Sequence, residues 1–233
     1  MKILGLDSSG LVAGVAVVEN DILLGEYTTD YKKTHSQTLL PMLDELSRMI
    51  DLDMNTIDAI AIASGPGSFT GLRIGSATAK GLGLALKKPL VEVPTLEGLA
   101  WNLWGTDRVV CPLMDARRNQ VYTAAYEFLP SGDGYTMVNI IPQAPADIHE
   151  MIDNINEIGR AVIFLGDGVP VYREIIEENI RVSYAYAPAG CNRQRAAGIA
   201  ALGALYYDMG KAVDAAEHQP EYLRKSQAER ESE

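Results

Sequence analysis

The sequence predicts an α/β fold with two units, each a mixed sheet flanked by helices. Strand-like runs open each half of the chain, and alternating strands and helices follow them, as in a duplicated α/β layout. Within the first half, residues 57–86 change from a buried apolar strand to a helix across Gly65-Pro66-Gly67. The length of 233 residues allows one large domain or two small ones.

The first half is expected to begin with an antiparallel meander. Its second and third strands are joined by Asn20-Asp21, a dipeptide typical of two-residue hairpins. A helix follows from His35 to Ile50, where apolar residues recur at helical spacing. Thr34, Ser36 or Thr38 can cap this helix, and Pro41 is compatible with it only near the first turn. The predicted strands are 2–8, 11–19, 22–29 and 57–64.

The helix after the Gly-Pro-Gly turn is rich in glycine, and Ser68 or Thr70 is its expected N-cap. Each interior glycine costs about 1 kcal/mol of helix propensity relative to alanine. The sequence therefore indicates that another segment approaches this helix closely. Gly71, Gly75 and Ala79 share one flank at i, i+4 and i+8. We expect another helix to lie there, with a second protein as one source of it.

The chain is expected to divide into an N-terminal lobe of residues 1–104 and a smaller lobe of residues 105–192. An alanine-rich helix at about 193–209 completes the first lobe. Residues 210–233 form a C-terminal extension that ends in a charged, apolar-poor tail, which we expect to fray. The predicted elements of the second lobe are strands at 109–114, 121–128, 135–141, 161–165 and 182–184 and helices at 146–154 and 169–178.

The composition limits the classes of function. Twenty Lys and Arg against 31 Asp and Glu give a formal charge of −11, which argues against broad adhesion to nucleic acid or anionic membranes. Two distant cysteines, Cys111 and Cys191, fit a reduced chain better than a disulfide framework. No signal-like segment precedes the first strand, and no apolar run reaches about 18 residues, so we expect a soluble cytoplasmic protein.

Two polar turns are candidate phosphate-binding sites. Asp7-Ser8-Ser9 ends the first strand and resembles the phosphate-1 region of the actin and sugar-kinase superfamily, where a carboxylate faces a metal–phosphate group. The turn before the glycine-rich helix offers backbone N–H groups and the hydroxyl of Ser68, although neither a complete dinucleotide fingerprint nor a P-loop is present. A structural turn is the alternative for both sequences and is favoured for the glycine turn.

Histidine and cysteine chemistry has little support in the sequence. The three histidines, at His35, His149 and His218, form no HExxH motif, and no GxSxG nucleophile motif is present. Cys111 lies in an apolar run, which favours packing over reactivity. A solvated hairpin tip is the default interpretation of the densest polar cluster in the second lobe, and a ligand or partner site is the alternative. This cluster consists of Asp115, Arg117, Arg118 and Tyr122.

Six segments together resemble the TsaB family, also called YeaZ. They are ILGLDSS, His35-Ser36, GPGSFTGLRIG, PTLEGLA from Pro94, MDARRNQVY and Pro220-Glu221-Tyr222-Leu223-Arg224. The combination of GSFTGLRIG with DARR and PxYLR is specific. The resemblance implies a two-lobed actin-like, RNase H-like fold of the ASKHA class. It also implies a place in the bacterial machinery that installs N6-threonylcarbamoyladenosine (t6A) at position 37 of tRNAs reading ANN codons.

The resemblance also implies partners. In that machinery TsaD carries the transfer chemistry, TsaE is an ATPase, and TsaC or a related enzyme makes threonylcarbamoyl-adenylate. This chain is expected to be a non-catalytic subunit that binds TsaD directly, joins TsaE within the complex, forms a homodimer in isolation and contacts tRNA through its partners. The residues expected at the partner or dimer interface are His35, Leu39, Met42, Leu43, Leu46, Phe69, Thr70, Gly71, Arg73, Ile74, Gly75 and Thr78.

One departure from TsaD bears on catalysis. TsaD has a metal-binding HxxxH after the equivalent of Val93, and the matching positions here are Thr95 and Leu99. Neither residue supplies an imidazole, so no metal, no cofactor and no catalytic residues are expected. Two alternatives stay open. One is an ATP-dependent phosphotransferase of the actin and sugar-kinase class, and the other is a glycoprotease-like peptidase of the M22 type.

Overall fold

The computed structural model describes residues 1–31 and 35–223, and its strands and helices alternate as the sequence predicts. The strands are β1 Lys2–Asp7, β2 Ala13–Glu19, β3 Ile22–Thr29, β4 Ala59–Gly65, β5 Leu90–Pro94, β6 Val109–Asp115, β7 Gln120–Ser131, β8 Gly134–Asp147, β9 Val162–Leu165, β10 Tyr184–Tyr186 and β11 Ala212–Val213. The helices are α1 His35–Met49, α2 Phe69–Leu86, α3 Thr95–Ala100, α4 Ile148–Ile158, α5 Gly168–Asn179 and α6 Ala196–Asp208.

The first compact unit comprises Met1–Gly98 and the chain from Gln194 onward. Its six strands form one sheet in the order β11-β5-β4-β1-β2-β3. The β1–β2 and β2–β3 pairs are antiparallel, whereas β1–β4 and β4–β5 are parallel. The predicted meander is confirmed, and Asn20 and Asp21 both have positive φ, as a two-residue hairpin turn requires.

The two faces of this sheet are covered by different helices. Leu4 and Leu6 point to one face and pack in a core with residues of α1 and α2. Gly5 points to the other face, where a Cβ would lie 2.8 Å from Ala200 Cβ, so α6 packs directly on the strand. Gly203 of α6 approaches in the same way, because its Cβ would lie 2.3 Å from Ala61 Cβ. Small residues therefore bring α6 into close contact with the sheet.

The second compact unit comprises Leu99–Arg193. Its sheet has the strand order β10-β9-β6-β7-β8, with β6 parallel to β9 and antiparallel to β7. One apolar core contains residues of β6, β7, β9, α4 and α5. The β7–β8 hairpin extends well beyond the predicted strands 121–128 and 135–141, because pairing continues from Ser131↔Gly134 to Gln120↔Asp147.

Some local predictions are wrong. Ser36 and Thr38 do not cap α1, since both lie inside the helix and Thr38 Oγ1 donates a hydrogen bond to His35 O at 3.5 Å. Pro41 lies in the second turn of α1 and not near the first. The predicted cap Thr34, Arg224 of the PxYLR segment and the predicted frayed tail from Ser226 lie outside the described residues. Within the described part of the chain, no helix combines the length and apolar character needed to cross a membrane.

The inner and outer faces of α1 should respond differently to truncation. Leu46 is buried in the first unit's core, whereas Leu40 is 52% exposed. Leu46→Ala should lower the free energy of unfolding by about 2–5 kcal/mol, because it removes buried methyl groups and leaves a cavity. Leu40→Ala should change it by no more than about 0.5 kcal/mol. Urea denaturation of both variants measures the difference, and equal losses would contradict this packing.

Candidate functional site

Helix α2 begins directly against the turn that follows β1. Ser68 caps the helix, as predicted, by accepting a hydrogen bond from Gly71 N at 3.3 Å. Ser68 N donates to Ser9 O at 2.6 Å. A Cβ on Gly67 would lie 2.3 Å from the same carbonyl oxygen, so this contact requires glycine. The glycine turn thus allows the start of α2 to pack against the turn that follows β1.

The Asp7-Ser8-Ser9 turn is closed by its own hydrogen bonds. Asp7 Oδ1 accepts from Ser9 N at 2.8 Å and from Ser9 Oγ at 2.6 Å. Ser8 Oγ donates to Gly71 O at 2.8 Å. The three side chains are almost fully buried. Burial raises the pKa of Asp7, while the hydrogen bonds from Ser9 and the nearby charge of His35 act in the opposite direction.

The hydrogen bonds within this turn weigh against the phosphate-binding interpretation of Asp7, Ser8, Ser9 and Ser68, which stays a prediction. The hydroxyls of Ser8 and Ser9 are used within the turn, and the Ser68 hydroxyl caps α2. These are the hydrogen bonds expected of a structural turn, which is the alternative interpretation.

The expected role of the small-residue flank of α2 is also wrong. A Cβ on Gly71 would lie 2.1 Å from Ser8 O, and a Cβ on Gly75 would lie 2.4 Å from Ser8 Oγ. Ala79 is fully buried in the core. The segment that approaches this flank closely is therefore the β1 turn of the same chain, and not a helix of a second protein.

The apolar stripe of α1 is likewise internal. Because the helix lies on the sheet, four of the residues expected at an interface are buried in the core and cannot meet a partner. They are Leu39, Met42, Leu43 and Leu46. His35 is half-buried, and its Nε2 lies 2.8 Å from Gly10 O. This contact places His35 beside the closed turn.

The surface of α2 that remains open is a different one, which we call the outer α2 face. It consists of Thr70, Arg73, Ile74, Ala77, Thr78, Gly81 and Leu84. A Cβ on Gly81 would meet nothing within 4 Å, and Leu84 is 57% exposed. The spacing of Ala77, Gly81 and Leu84 at i, i+4 and i+7 was present in the sequence, but a choice between two glycine-containing flanks needs the position of the sheet.

The C-terminal segment covers one end of this face. Glu221 N donates to Ser64 O at 2.7 Å. The Tyr222 ring packs on Phe69 with 4.8 Å between centroids, and Arg73 Nε donates to Tyr222 Oη at 3.3 Å. The Arg73 guanidinium carbon also lies 4.0 Å from the Phe69 centroid. Phe69 and Arg73, both expected at an interface, are thus partly covered by their own chain.

In the second unit, the polar cluster predicted from the sequence lies at the β6–β7 turn. Asp115 Oδ1 accepts from Arg117 N at 2.9 Å and from Tyr172 Oη at 3.1 Å. Arg117, Arg118 and Asn119 all have positive φ and are exposed. Tyr122 is half-buried on β7 opposite Met114, and so is not at the tip. The cluster is a tight, solvated hairpin tip closed by Asp115.

Two further positions bear on catalysis. Burial raises the pKa of the Cys111 thiol to about 12, which keeps it protonated and unreactive at neutral pH. Thr95 and Leu99, which the family resemblance matches to the metal-binding histidines of TsaD, are both buried. Glu97 between them accepts a hydrogen bond from Tyr206. Among residues 1–31 and 35–223, no group of three His, Cys, Asp or Glu is placed to hold a metal ion.

The inner and outer glycines of α2 offer a matched test. Gly75→Ala should destabilise the protein by about 1–3 kcal/mol, because its methyl would overlap Ser8 Oγ and crowd Ile62. Gly81→Ala should stabilise it by up to about 1 kcal/mol, because alanine favours the helix and the site is open. Urea denaturation of the two variants gives both values. Destabilisation of the monomeric Gly81→Ala variant would mean that this chain itself covers the outer face.

The buried Asp7 should give a characteristic pH dependence. Because its pKa is raised in the folded state, the folded protein binds more protons than the unfolded chain, so this group's contribution to stability falls as pH rises from about 4. The Asp7→Asn variant lacks this pH-dependent loss of stability. The free energy of unfolding of the variant, relative to that of the parent protein, should therefore increase from pH 4 to pH 7.

Asp53→Asn serves as the control with opposite sign. Hydrogen bonds from Asn55 lower the pKa of the exposed Asp53. That carboxylate therefore contributes stability that is present at neutral pH and lost as pH falls, and Asp53→Asn should become relatively less stable as pH rises. Denaturation at both pH values reports the two slopes. The same slope for both variants would show that Asp7 is not desolvated.

Comparison with known proteins identifies the family. The TsaD family model, described as tRNA N6-adenosine threonylcarbamoyltransferase, matches residues 23–232. The chain is 32% identical over 229 residues to the tRNA threonylcarbamoyladenosine biosynthesis protein TsaB of Bacillus subtilis strain 168, which covers 98% of this chain and 96% of that protein.

Solved structures agree. A Pseudomonas aeruginosa structure, of an uncharacterized protein with similarity to peptidase YEAZ, has a TM-score of 0.79 and 25% identity and covers 96% of this chain and 99% of its own. The inorganic polyphosphate/ATP-glucomannokinase of Arthrobacter sp. strain KM has a TM-score of 0.52 and 11% identity, and the match covers 89% of this chain and 99% of that one. This likeness shows a shared fold only. The predicted actin-like fold is confirmed, and the chain belongs to the TsaB (YeaZ) family of tRNA threonylcarbamoyladenosine biosynthesis proteins.

Proposed function

We propose that this chain is a non-catalytic subunit that binds TsaD through the outer α2 face and supports it in forming t6A at position 37 of tRNAs reading ANN codons. The observation that carries the proposal is the contrast between the two flanks of α2. The inner flank is filled by this chain, whereas on the outer flank a Cβ on Gly81 would meet nothing within 4 Å and the Leu84 side chain is 57% exposed. Such a surface suits the packing of another helix.

Gly81 gives the sharpest support. Gly71, Gly75 and Gly83 are each explained by a contact within the chain, because a Cβ there would overlap a neighbouring atom. Gly81 has no such contact, although glycine costs about 1 kcal/mol of helix propensity at this position. A partner helix that approaches at Ala77 and Gly81 would account for the glycine. Leu84, on the same face, then adds exposed apolar area.

The arrangement of the polar residues supports a role without catalysis. A threonine hydroxyl and an aliphatic side chain at Thr95 and Leu99 do not replace imidazole ligands, so the metal chemistry belongs to the partner. The Asp7 carboxyl is enclosed and accepts two hydrogen bonds from Ser9. A phosphotransferase would need that turn open, and a cysteine peptidase would need the Cys111 thiolate that burial disfavours.

The remaining partners follow from the same surface and from the charge. We assign a homodimer formed in the absence of TsaD to the outer α2 face, so that the two assemblies compete. TsaE joins through the complex. The net charge of −11 favours tRNA contact through partners, in the cytoplasm where tRNA is modified.

Reconstitution tests the subunit role. The chain alone should form no modified tRNA, whereas its addition to TsaD, TsaE and the adenylate-forming enzyme should restore t6A, measured by nucleoside mass spectrometry. Formation of t6A at the same rate without this chain would overturn the proposal. Modification by this chain without TsaD would show that it is itself the catalyst.

Two variants test the surface. Gly81→Leu and Leu84→Lys should each weaken association with TsaD at least about tenfold, because one blocks close approach and the other places a charge in an apolar contact. Met209→Lys is the control, since Met209 is 64% exposed at the end of α6, on the other face of the sheet. Sedimentation velocity with TsaD measures all three. Unchanged association of both outer-face variants would place the interface elsewhere.

A further inference from the structure

A cavity of about 140 Å³ lies in the second unit, where β9 ends and α5 begins. Its lining includes the apolar residues Phe164 and Val169 and the aromatic residue Tyr186. Ala187 also lines the space, and its N–H donates to Phe164 O at 2.9 Å.

The turn after β9 forms part of the lining of this cavity. Gly166 has φ +107°, and a Cβ there would lie 2.1 Å from Leu113 O. The backbone at Gly166 therefore packs tightly on β6, and the same residue lines the cavity.

Two guanidinium groups line the cavity. Arg193 Nη1 donates to Gly166 O and to Asn192 O, both at 3.0 Å, which fixes the plane of that group. The Arg173 guanidinium carbon lies 4.2 Å from the centroid of Tyr186. Both arginines have an acidic neighbour. Glu177 lies 3.8 Å from Arg173, and Asp167, whose pKa is raised by burial, lies near Arg193.

We propose that this cavity binds a small planar ring that carries one anionic group, with aromatic carboxylates as the ligand class. A cavity of about 150 Å³ holds one benzene ring, so the volume here matches a single ring. The partly buried Tyr186 lines the same space and offers an aromatic contact for the ring. A carboxylate on that ring pairs with the guanidinium of Arg173. Arginine binds a carboxylate most strongly through two parallel hydrogen bonds from its guanidinium.

Titration with benzoate tests the proposal on the full chain. We expect saturable amide shifts at Val169 and Ala187 in ¹⁵N–¹H NMR spectra, with a dissociation constant of about 1 mM, as for a ligand of this size. Arg173→Gln should weaken binding at least about fivefold, and Glu177→Gln should tighten it, because it removes the competing carboxylate. Arg181→Gln is the matched control, since this exposed arginine of the same unit pairs with Asp153 and does not line the cavity.

The charge and the ring are tested separately by two analogues. Benzamide keeps the ring without the charge, and acetate keeps the charge without the ring, so each should bind at least about fivefold more weakly than benzoate. Equal binding of benzamide, equal binding of acetate or an unchanged affinity of Arg173→Gln would overturn the assignment. So would the absence of shifts at Val169 and Ala187 up to about 20 mM benzoate.

Discussion

The contact between the β1 turn and the start of α2 is the constraint on which the first unit depends. Ser68 N donates to Ser9 O, and Ser8 Oγ donates to Gly71 O, so the two segments are joined in both directions. The absence of a Cβ at Gly67 and Gly71 allows the approach. Because these bonds hold the inner side of α2, they also fix the orientation of its outer face. A change in the β1 turn would therefore alter that face without changing any of its residues.

The fold was predictable because its signals are local. Positive φ at Asn20 and Asp21 follows from a dipeptide, and the cap at Ser68 follows from one side chain at a strand-to-helix turn. The predicted bounds of an element were wrong where contacts between distant residues determine its length. The β7–β8 hairpin is longer than its apolar pattern, because its distal residues pair through backbone hydrogen bonds that polar side chains do not prevent. Strand β11 has two residues and carries no pattern at all.

The candidate site was predictable in part, for a related reason. Glycines on a helix indicate that something approaches closely, but they do not indicate which molecule supplies it. Gly75 and Gly81 look alike in sequence, yet one faces Ser8 and the other faces nothing. The apolar stripe with Leu43 and Leu46 is similar. Its sequence does not show whether the sheet of the same chain or a partner protein covers it, and in the structure it is buried in the core. Sequence identifies the helices, and the position of the sheet decides which side of each is available.

The family segments acquire a physical meaning in this arrangement. Tyr222 of the PxYLR segment packs on Phe69 of GSFTGLR and accepts a hydrogen bond from Arg73, while Glu221 N bonds to Ser64 O. On the inner side, the turn of ILGLDSS bonds to Gly71 of the same segment. Three separated motifs thus converge on the first turns of α2. An enclosed carboxyl at Asp7 disfavours the folded state at neutral pH, but the hydrogen bonds it accepts close the turn that positions this helix. The polar turn at the end of β1 thus joins the first strand to α2 on the side of the helix opposite the outer α2 face.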